Sequence, residues 1–465
     1  MGPFDAAPFI VIWETTRACA LACVHCRAEA MPRRDPRELT SDEARALMDR
    51  VAAFGDPPPL LVLTGGDPLR RPDIVELVGY GTGRGLSVSL TPSGTAAVTE
   101  ERLRTLRDAG LARLAVSLDG ATAEAHDAFR GVVGSHRHTL KIVERARVLG
   151  LPLQINTTVC RRTVADLPAL AHQVEAFGAA LWALFFLIPV GRAEAGHALG
   201  PHEIEAVLEW AACLVGRVPF GVKTTEAPHF HRVLARRRPQ ATPASGASRA
   251  GRPGSSPARD TIRRAGRAVT DGNGFVFVDH IGNICPSGFL PLAVGNVRKD
   301  DLVTVYREAG MFVALRDPAQ LGGRCGRCGF REACGGSRAR AFAVTGDALG
   351  EDPGCAWPPA TGVGAVIAGG SDAPPAVSEA AVRQALATVF DPELGMSIVE
   401  LGLVYGVRIQ DSAVGITMTL TAPGCPIHDV MPEWVRSAVM RVPGVEHVDV
   451  TLTFDPPWTP ERIRR

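Results

Sequence analysis

Apolar residues in the first half of the chain fall into short solid runs, separated by longer stretches with helical spacing. The runs are Phe9–Trp13, Leu60–Thr64, Leu86–Leu90, Arg113–Leu118, Leu153–Val159 and Trp182–Ile188. Mostly apolar runs of this length fit strands buried on both faces. The stretches between them read as helices. Thr40 with Glu43 makes a capping box at the start of one, and Gly55, Gly110 and Gly150 can close helices. Repeated strand–helix units predict an α/β class with a parallel sheet. In closed or partly closed barrels of that class, function sits at the carboxyl ends of the strands.

The pattern changes after residue 237. Residues 238–262 are rich in Pro, Ala, Ser, Gly and Arg without an apolar period, which predicts a flexible insertion. In 263–358, Gly274-Phe275-Val276-Phe277-Val278 and Gly282-Asn283-Ile284-Cys285 read as a hairpin in a small cysteine-rich domain. Residues 359–376 are again rich in Pro, Gly and Ala and read as a linker. A small α+β domain is predicted over 377–465. Ser378 caps a helix carrying Val382, Leu386 and Val389, and a second helix spans about Asp429 to Val442. The alternating stretches Val414–Leu420 and Val448–Phe454 read as strands.

The 465 residues suffice for two or three domains with proper cores. The net charge of +1 gives no argument for nucleic acid or a polyanionic membrane surface. No apolar run reaches the length of a membrane span, and the N-terminus lacks a secretory pattern. Lys141, Lys223 and Lys299 are the only lysines, which reads as genome composition. The eleven cysteines are clustered rather than spread as a disulfide framework. That usage favours metal ligation in a reducing cytoplasm.

Cys19, Cys23 and Cys26 form a Cys-x3-Cys-x2-Cys group just after the first strand. A loop wound this tightly can aim three thiolates at three corners of an iron–sulfur cube. A [4Fe–4S] cluster normally takes four cysteines, so three leave one iron for a ligand that is not protein. The alternatives are a zinc knuckle or three unrelated buried thiols. Zinc needs a fourth ligand, and the nearby candidate, His25, lies between two of the cysteines. A second group, Cys325-x2-Cys328-x5-Cys334 with Cys355 further on, could hold zinc or a cluster. Cys160 and Cys213 lie in apolar segments and read as core residues.

The first cysteine spacing, placed after a first strand, resembles the signature of the radical S-adenosylmethionine (SAM) enzymes. The resemblance implies a partial (β/α)6 barrel over residues 1–237. It also implies SAM bound to the open iron through its amino and carboxylate groups, and a 5′-deoxyadenosyl radical formed by reductive cleavage. Thr64-Gly65-Gly66-Asp67-Pro68 resembles the family's Gly-Gly-Glu-Pro motif, whose backbone and acid hold the SAM amino group; Asp67 replaces the commoner Glu. Ser117 and Asp119 after the fourth strand resemble the ribose-contacting strand end. Asn156, with Thr157, stands at the matching end of the fifth. Ile188 and Gly191, in Leu187–Arg192, resemble the segment that passes the adenine. His126, Arg130 and His136 read as solvated loop and helix residues, with a substrate-facing role as the alternative.

The second cysteine group resembles the SPASM/twitch extension, which implies an auxiliary [4Fe–4S] cluster on Cys325, Cys328, Cys334 and Cys355. The fuller form has a cysteine where Arg338 stands, and Cys285 is a candidate remnant of that inner site. Asp391-Pro392-Glu393, Ser397–Val404 and Thr421–Pro426 resemble the MIP18-like (DUF59) domain associated with iron–sulfur assembly. Cys425 is that domain's candidate reactive thiol, with a turn cysteine of no role as the alternative.

The chain is therefore expected to be a radical SAM enzyme acting on a cofactor precursor, a tetrapyrrole as in heme biosynthesis. The alternatives are a maturase of a ribosomally made peptide, similar to those for pyrroloquinoline quinone, and a non-enzymatic iron–sulfur scaffold. The first strand begins near Pro8 and leaves no room for a leader-peptide domain, which favours a small molecule or a peptide delivered by a partner. The implied partners are the substrate, a reducing donor such as flavodoxin or ferredoxin, and iron–sulfur assembly machinery.

Overall fold

The computed structural model describes residues 2, 4–237, 268–358, 377–387, 389, 391, 396–422, 431–440, 442 and 444–463. The insertion read at 238–262, the linker at 359–376 and Cys425 lie outside the described residues. The chain divides into two compact units, one of Met1–Leu199 with Val215–Pro359, the other of Gly200–Leu214 with Ala360–Arg465.

The first unit is built on one sheet. Its strands are β1 (Ile10–Glu14), β2 (Leu60–Thr64), β3 (Val88–Leu90), β4 (Arg113–Ser117), β5 (Leu153–Val159), β6 (Leu181–Phe186), β7 (Gly221–Thr225), β8 (Phe275–Val278), β9 (Asn283–Cys285) and β10 (Gly295–Asn296). Their order is β10-β9-β8-β1-β2-β3-β4-β5-β6-β7. Strands β1 to β8 pair in parallel, and β9 and β10 continue antiparallel from β8. Helices join the successive strands from β1 to β6, as parallel connections require. This is the partial α/β barrel expected, and Val11, Trp13, Leu61, Leu63, Leu90, Leu114, Val116 and Ile155 are wholly buried in its strands.

All six expected strands form, some a residue or two shorter. The helix Ser41–Ala52 starts on the expected capping box: Thr40 accepts from the Glu43 N–H, and Glu43 accepts from the Thr40 N–H. Two features were not expected. Strand β7 adds a seventh parallel member, although its residues are only half-buried. The hairpin β8–β9 does not stand apart: β8 pairs with β1 from Ile10↔Phe275 to Trp13↔Val278, so the cysteine-rich segment extends the barrel sheet itself.

The second unit contains the helices Glu379–Leu386 and Met431–Val439 and a sheet of β11 (Val404–Gln410), β12 (Ala413–Met418) and β13 (His447–Leu452), in that order. Strands β11 and β12 are antiparallel, and β12 and β13 are parallel. Ser378 caps the first helix by accepting from the Ala381 N–H. Val382, Leu386, Ile398, Leu401, Leu403, Val414, Ile416, Met418 and Val435 form its buried core. The helix Pro201–Leu214 groups with this unit. Among the described residues no helix is long and apolar enough to cross a membrane.

Candidate active site and second cysteine site

The loop after β1 carries Cys19, Cys23 and Cys26, and its backbone is fastened at several points. The Cys19 N–H donates to the Met31 carbonyl across the bridge Ala18↔Met31. After β2, the N–H groups of Gly66 and Asp67 donate to the carbonyls of Thr16 and Ala18, both at 2.7 Å. Val24 N–H donates to the Phe129 carbonyl, and Arg192 N–H donates to the Cys26 carbonyl at 3.0 Å. The packing is close enough to require glycine at several contacts; a Cβ on Gly65 would run into the Thr16 carbonyl oxygen. A Cβ on Gly66 would lie 2.6 Å from the carbonyl oxygens of Arg17 and Ala18. Gly191 has φ +61°, and a Cβ there would lie 2.5 Å from the carbonyl oxygens of Cys26 and Arg27.

This clamp turns the three thiols into one cavity of about 230 Å³. The Cys19 sulfur accepts from the Leu21 N–H at 3.3 Å and lies 3.2 Å from the Ser93 hydroxyl; the Cys26 sulfur accepts from the Ala30 N–H at 3.4 Å. Arg130 Nη1 reaches the Cys23 sulfur at 3.7 Å. Burial raises the Cys19 thiol pKa.

Gly65, Gly66, Ser117, Asn156 and Ile188 line the same cavity, so strand ends far apart in sequence meet the cysteine loop. Four other candidates stand behind the wall. Asp67 is buried, and its Oδ1 accepts from the N–H groups of Leu69 at 3.2 Å and Ser93 at 3.4 Å. Its carboxylate therefore holds the two loops together, and burial raises its pKa. Pro68 opens the short turn Pro68–Arg70 that Asp67 caps. Asp119 is ion-paired with Arg130 and accepts from the Thr158 N–H at 2.6 Å. Burial raises its pKa, but Arg130, together with His25, His126 and the Thr158 N–H, outweighs that and holds it low. Gly191 backs onto the cysteine loop as described above.

His126 and Arg130 are not solvated: both line the cavity, and His126 is buried. His136 packs edge-on against His126, 5.5 Å between ring centroids. Burial, helped by Arg130, lowers the His126 pKa to about 4, and the His25 ring, stacked 4.1 Å from Phe129, is lowered to about 3. Both rings are neutral at neutral pH. The helical surroundings of His126 look polar in sequence, and only the packing of the helix Ala123–Arg130 in the fold buries it. The lining residues Thr91, Pro92 and Ser93 were also missed. They follow β3 as the other motif residues follow their strands, so the strand-end rule could have found them.

A charged group anchors the loop from below. Glu14, at the end of β1, is buried and meets Arg27 at 2.7 Å, Arg17 at 3.2 Å and His280 Nδ1 at 3.2 Å. Arg27 also lies over the Phe277 ring, 4.7 Å from its centroid. Burial pushes the Glu14 pKa up, but Arg27, His280 and Arg17 outweigh it and bring it down to about 2.

The second group also converges. Cys325, Cys328, Cys334 and Cys355 line one small cavity with His229, Arg232, Asp352 and Trp357. Backbone N–H groups donate to the sulfurs: Asp352 to Cys325 at 3.3 Å, Phe330 to Cys328 at 3.4 Å and Gly336 to Cys334 at 3.4 Å. His229 hydrogen-bonds Cys355 and sets its thiol pKa below the ordinary value against the opposing effect of burial. Arg338 is buried, and its Nη2 reaches Cys325 at 3.5 Å. Cys285 is buried on β9 and outside this cavity; burial pushes its thiol up to about 12. Among the described residues no three His, Cys, Asp or Glu side chains are arranged to hold a single metal ion.

Comparison with known proteins places these features. Residues 13–174 match the model of the radical SAM superfamily, and residues 379–451 match that of an iron–sulfur cluster assembly protein. The chain is 38% identical over 358 residues to an AdoMet-dependent heme synthase of Methanosarcina barkeri, covering 76% of this chain and 97% of that protein. It is 27% identical to the pre-heme d1 synthase of Dinoroseobacter shibae, over 74% of this chain and 85% of the other. The structure of Streptococcus suis SuiB bound to S-adenosylmethionine shares the fold, with a TM-score of 0.56 at 13% identity over 75% of this chain and 77% of that one.

Two outcomes follow from the loop geometry. Gly66→Ala drives a Cβ into two loop carbonyls, so reconstituted protein should lose the iron of the first site while keeping that of the second; unchanged iron would show that the loop yields freely. Glu14 is ionised in the folded state down to about pH 2, below its ordinary 4.5. Its stabilisation is therefore present above pH 4.5 and is lost as pH falls toward 2, and it amounts to about 3 kcal/mol. Denaturant titrations of apo Glu14→Gln should show lower stability at pH 7 and a flatter pH dependence between 4.5 and 2. A variant as stable and as pH-dependent as the parent would contradict the role given to the ion pairs.

Proposed function

The chain belongs to the radical SAM superfamily, and on that premise we propose that Cys19, Cys23 and Cys26 hold its [4Fe–4S] cluster and that its substrate is a tetrapyrrole precursor of heme. The observation that carries the reading is one cavity shared by the three thiols, Gly65, Gly66, Ser117, Asn156 and Ile188. When bound, the cluster supplies an electron that cleaves SAM to a 5′-deoxyadenosyl radical, which takes a hydrogen atom from the substrate. The residues of the chain fix geometry. Leu21 and Ala30 N–H groups orient two of the thiolates, and Gly65 and Gly66 let a ligand approach the backbone closely. Ser117 and Asn156 offer polar groups to the ribose, and Ile188 offers an apolar face to the adenine. Asp67, Asp119 and Gly191 hold that wall in place from behind. A walled cavity keeps water from the reactive centre.

The tetrapyrrole assignment draws on the heme synthase and pre-heme d1 synthase relatives. The four cysteines around Cys325 line one cavity, and the resemblance of their spacing to the SPASM/twitch extension favours an auxiliary [4Fe–4S] cluster over zinc. Four protein ligands leave no open iron, so this cluster moves electrons, and a flavodoxin or ferredoxin is the fitting donor. The clustered cysteine usage supports a reducing cytoplasm as its compartment. The domain at 377–465 serves cluster acquisition or repair, with assembly machinery as its partner.

Anaerobic incubation with SAM, reductant and an iron-bound coproporphyrin deuterated on its side chains should yield 5′-deoxyadenosine carrying deuterium. Replacing Cys19, Cys23 and Cys26 together with Ala should abolish it. Unlabelled nucleoside from the parent would remove the tetrapyrrole reading, and cleavage by the triple variant would remove the site assignment.

Truncation after Pro375 should give protein that contains less iron as isolated yet cleaves SAM at a near-normal rate once reconstituted. Equal iron as isolated would remove the assembly role, and lost cleavage after full reconstitution would make the domain part of the catalytic unit.

A further inference from the structure

Arg338 is a buried cation without a carboxylate partner among the described residues. Its donors go to three carbonyl oxygens, of Gly336 at 3.2 Å, Ala348 at 3.3 Å and Gly350 at 2.6 Å, and to the Cys325 sulfur at 3.5 Å. The carboxylate of Asp352, which also lines this site, is held by other cations: Arg340 Nη1 lies 3.1 Å and His229 Nε2 3.1 Å from its Oδ2. A buried guanidinium stays charged and demands a counter-charge. Among the described residues, the one group reached by its donors that can carry negative charge is the Cys325 sulfur.

The first cysteine site is arranged differently. Arg130 reaches Cys23 at 3.7 Å, but Asp119 neutralises it in a buried ion pair. Arg27, beside Cys26, is likewise paired with Glu14. Both sites give their sulfurs N–H donors, but among the described residues only the second sets a guanidinium without a carboxylate partner against a sulfur; Arg192, with guanidinium nitrogens buried beside the first site and also without one, has no hydrogen bond to a sulfur.

We propose that Arg338 is a positioning residue that raises the reduction potential of the auxiliary cluster above that of the SAM-binding cluster. The inference rests on the reading of Cys325, Cys328, Cys334 and Cys355 as ligands of a [4Fe–4S] cluster. Such a cluster with four thiolates carries a charge of −2 oxidised and −3 after taking up one electron. A fixed cation against one thiolate favours the more negative form, and cluster potentials follow net charge and hydrogen bonds to sulfur. The second site is thereby made the electron acceptor of the pair, filled before the first by the same reductant.

The test is a redox titration followed by electron paramagnetic resonance on the full-length reconstituted protein. The auxiliary signal is assigned in the Cys19/Cys23/Cys26→Ala variant. In the parent protein the auxiliary signal should appear at the higher potential; the reverse order overturns the proposal without any substitution at Arg338. Arg338→Gln should shift the auxiliary midpoint downward by at least tenfold in the reduced-to-oxidised ratio, about 59 mV for one electron. The other midpoint should not move, and Arg338→Lys should keep most of the parent value. An auxiliary midpoint unmoved in Arg338→Gln overturns the proposal. If that variant does not retain the second cluster, the order of the two midpoints in the parent decides. A parent protein holding about four irons rather than about eight would overturn the cluster reading itself, which is a separate result from an unmoved midpoint.

Discussion

The structure turns on how a chain can hold three thiols in one orientation without closing the space in front of them. The loop from Thr15 to Met31 has too little regular structure to fix itself. It is fixed by spending its carbonyls on other elements: Thr16 and Ala18 on the loop after β2, Cys26 on the loop after β6. Such contacts bring backbone against backbone, and side chains at Gly66 or Gly191 would prevent them. The glycines of the motif thus have a structural duty toward the cysteine loop in addition to any toward a ligand. Asp67 belongs to the same scheme, since its carboxylate ties Leu69 to Ser93. The barrel supplies the walls, and the loop supplies the metal face.

The two cysteine sites share a rule and differ in electrostatics. In both, backbone N–H groups point at sulfur, which stabilises thiolate without adding net charge. At the first site the guanidinium that reaches a sulfur, that of Arg130, has a carboxylate partner. At the second, Asp352 is shared by His229 and Arg340, and Arg338 is left facing Cys325. Low-dielectric surroundings make such a difference count, because a buried charge is poorly screened.

Much of this was legible in the sequence, for identifiable reasons. Strands buried on both faces leave solid apolar runs, and β1 to β6 were found from them. The cysteine spacings and the strand-end residues Gly65, Gly66, Ser117, Asn156 and Ile188 identified the cavity, because parallel topology brings those ends together. Local patterns failed where tertiary contacts decide. Strand β7, half-buried and carrying Lys223, Thr224 and Thr225, has no apolar run. The pairing of β8 with β1 spans more than half the chain and leaves no local trace. His126 and Arg130 look like solvated helix residues until the helix folds over the cysteine loop. Arg338 could be seen to stand where a cysteine was expected, but its isolation from carboxylates is visible only in three dimensions.

The central claim is that Cys19, Cys23 and Cys26 hold a cluster whose remaining iron binds SAM. Its most direct test is the hyperfine spectrum of the anaerobically reduced protein with SAM carrying 15N at its amino group. The account predicts a coupling from that nitrogen to the cluster spin, present in the parent and in a variant whose Cys325, Cys328, Cys334 and Cys355 are replaced. A reduced cluster with bound SAM and no nitrogen coupling would contradict it.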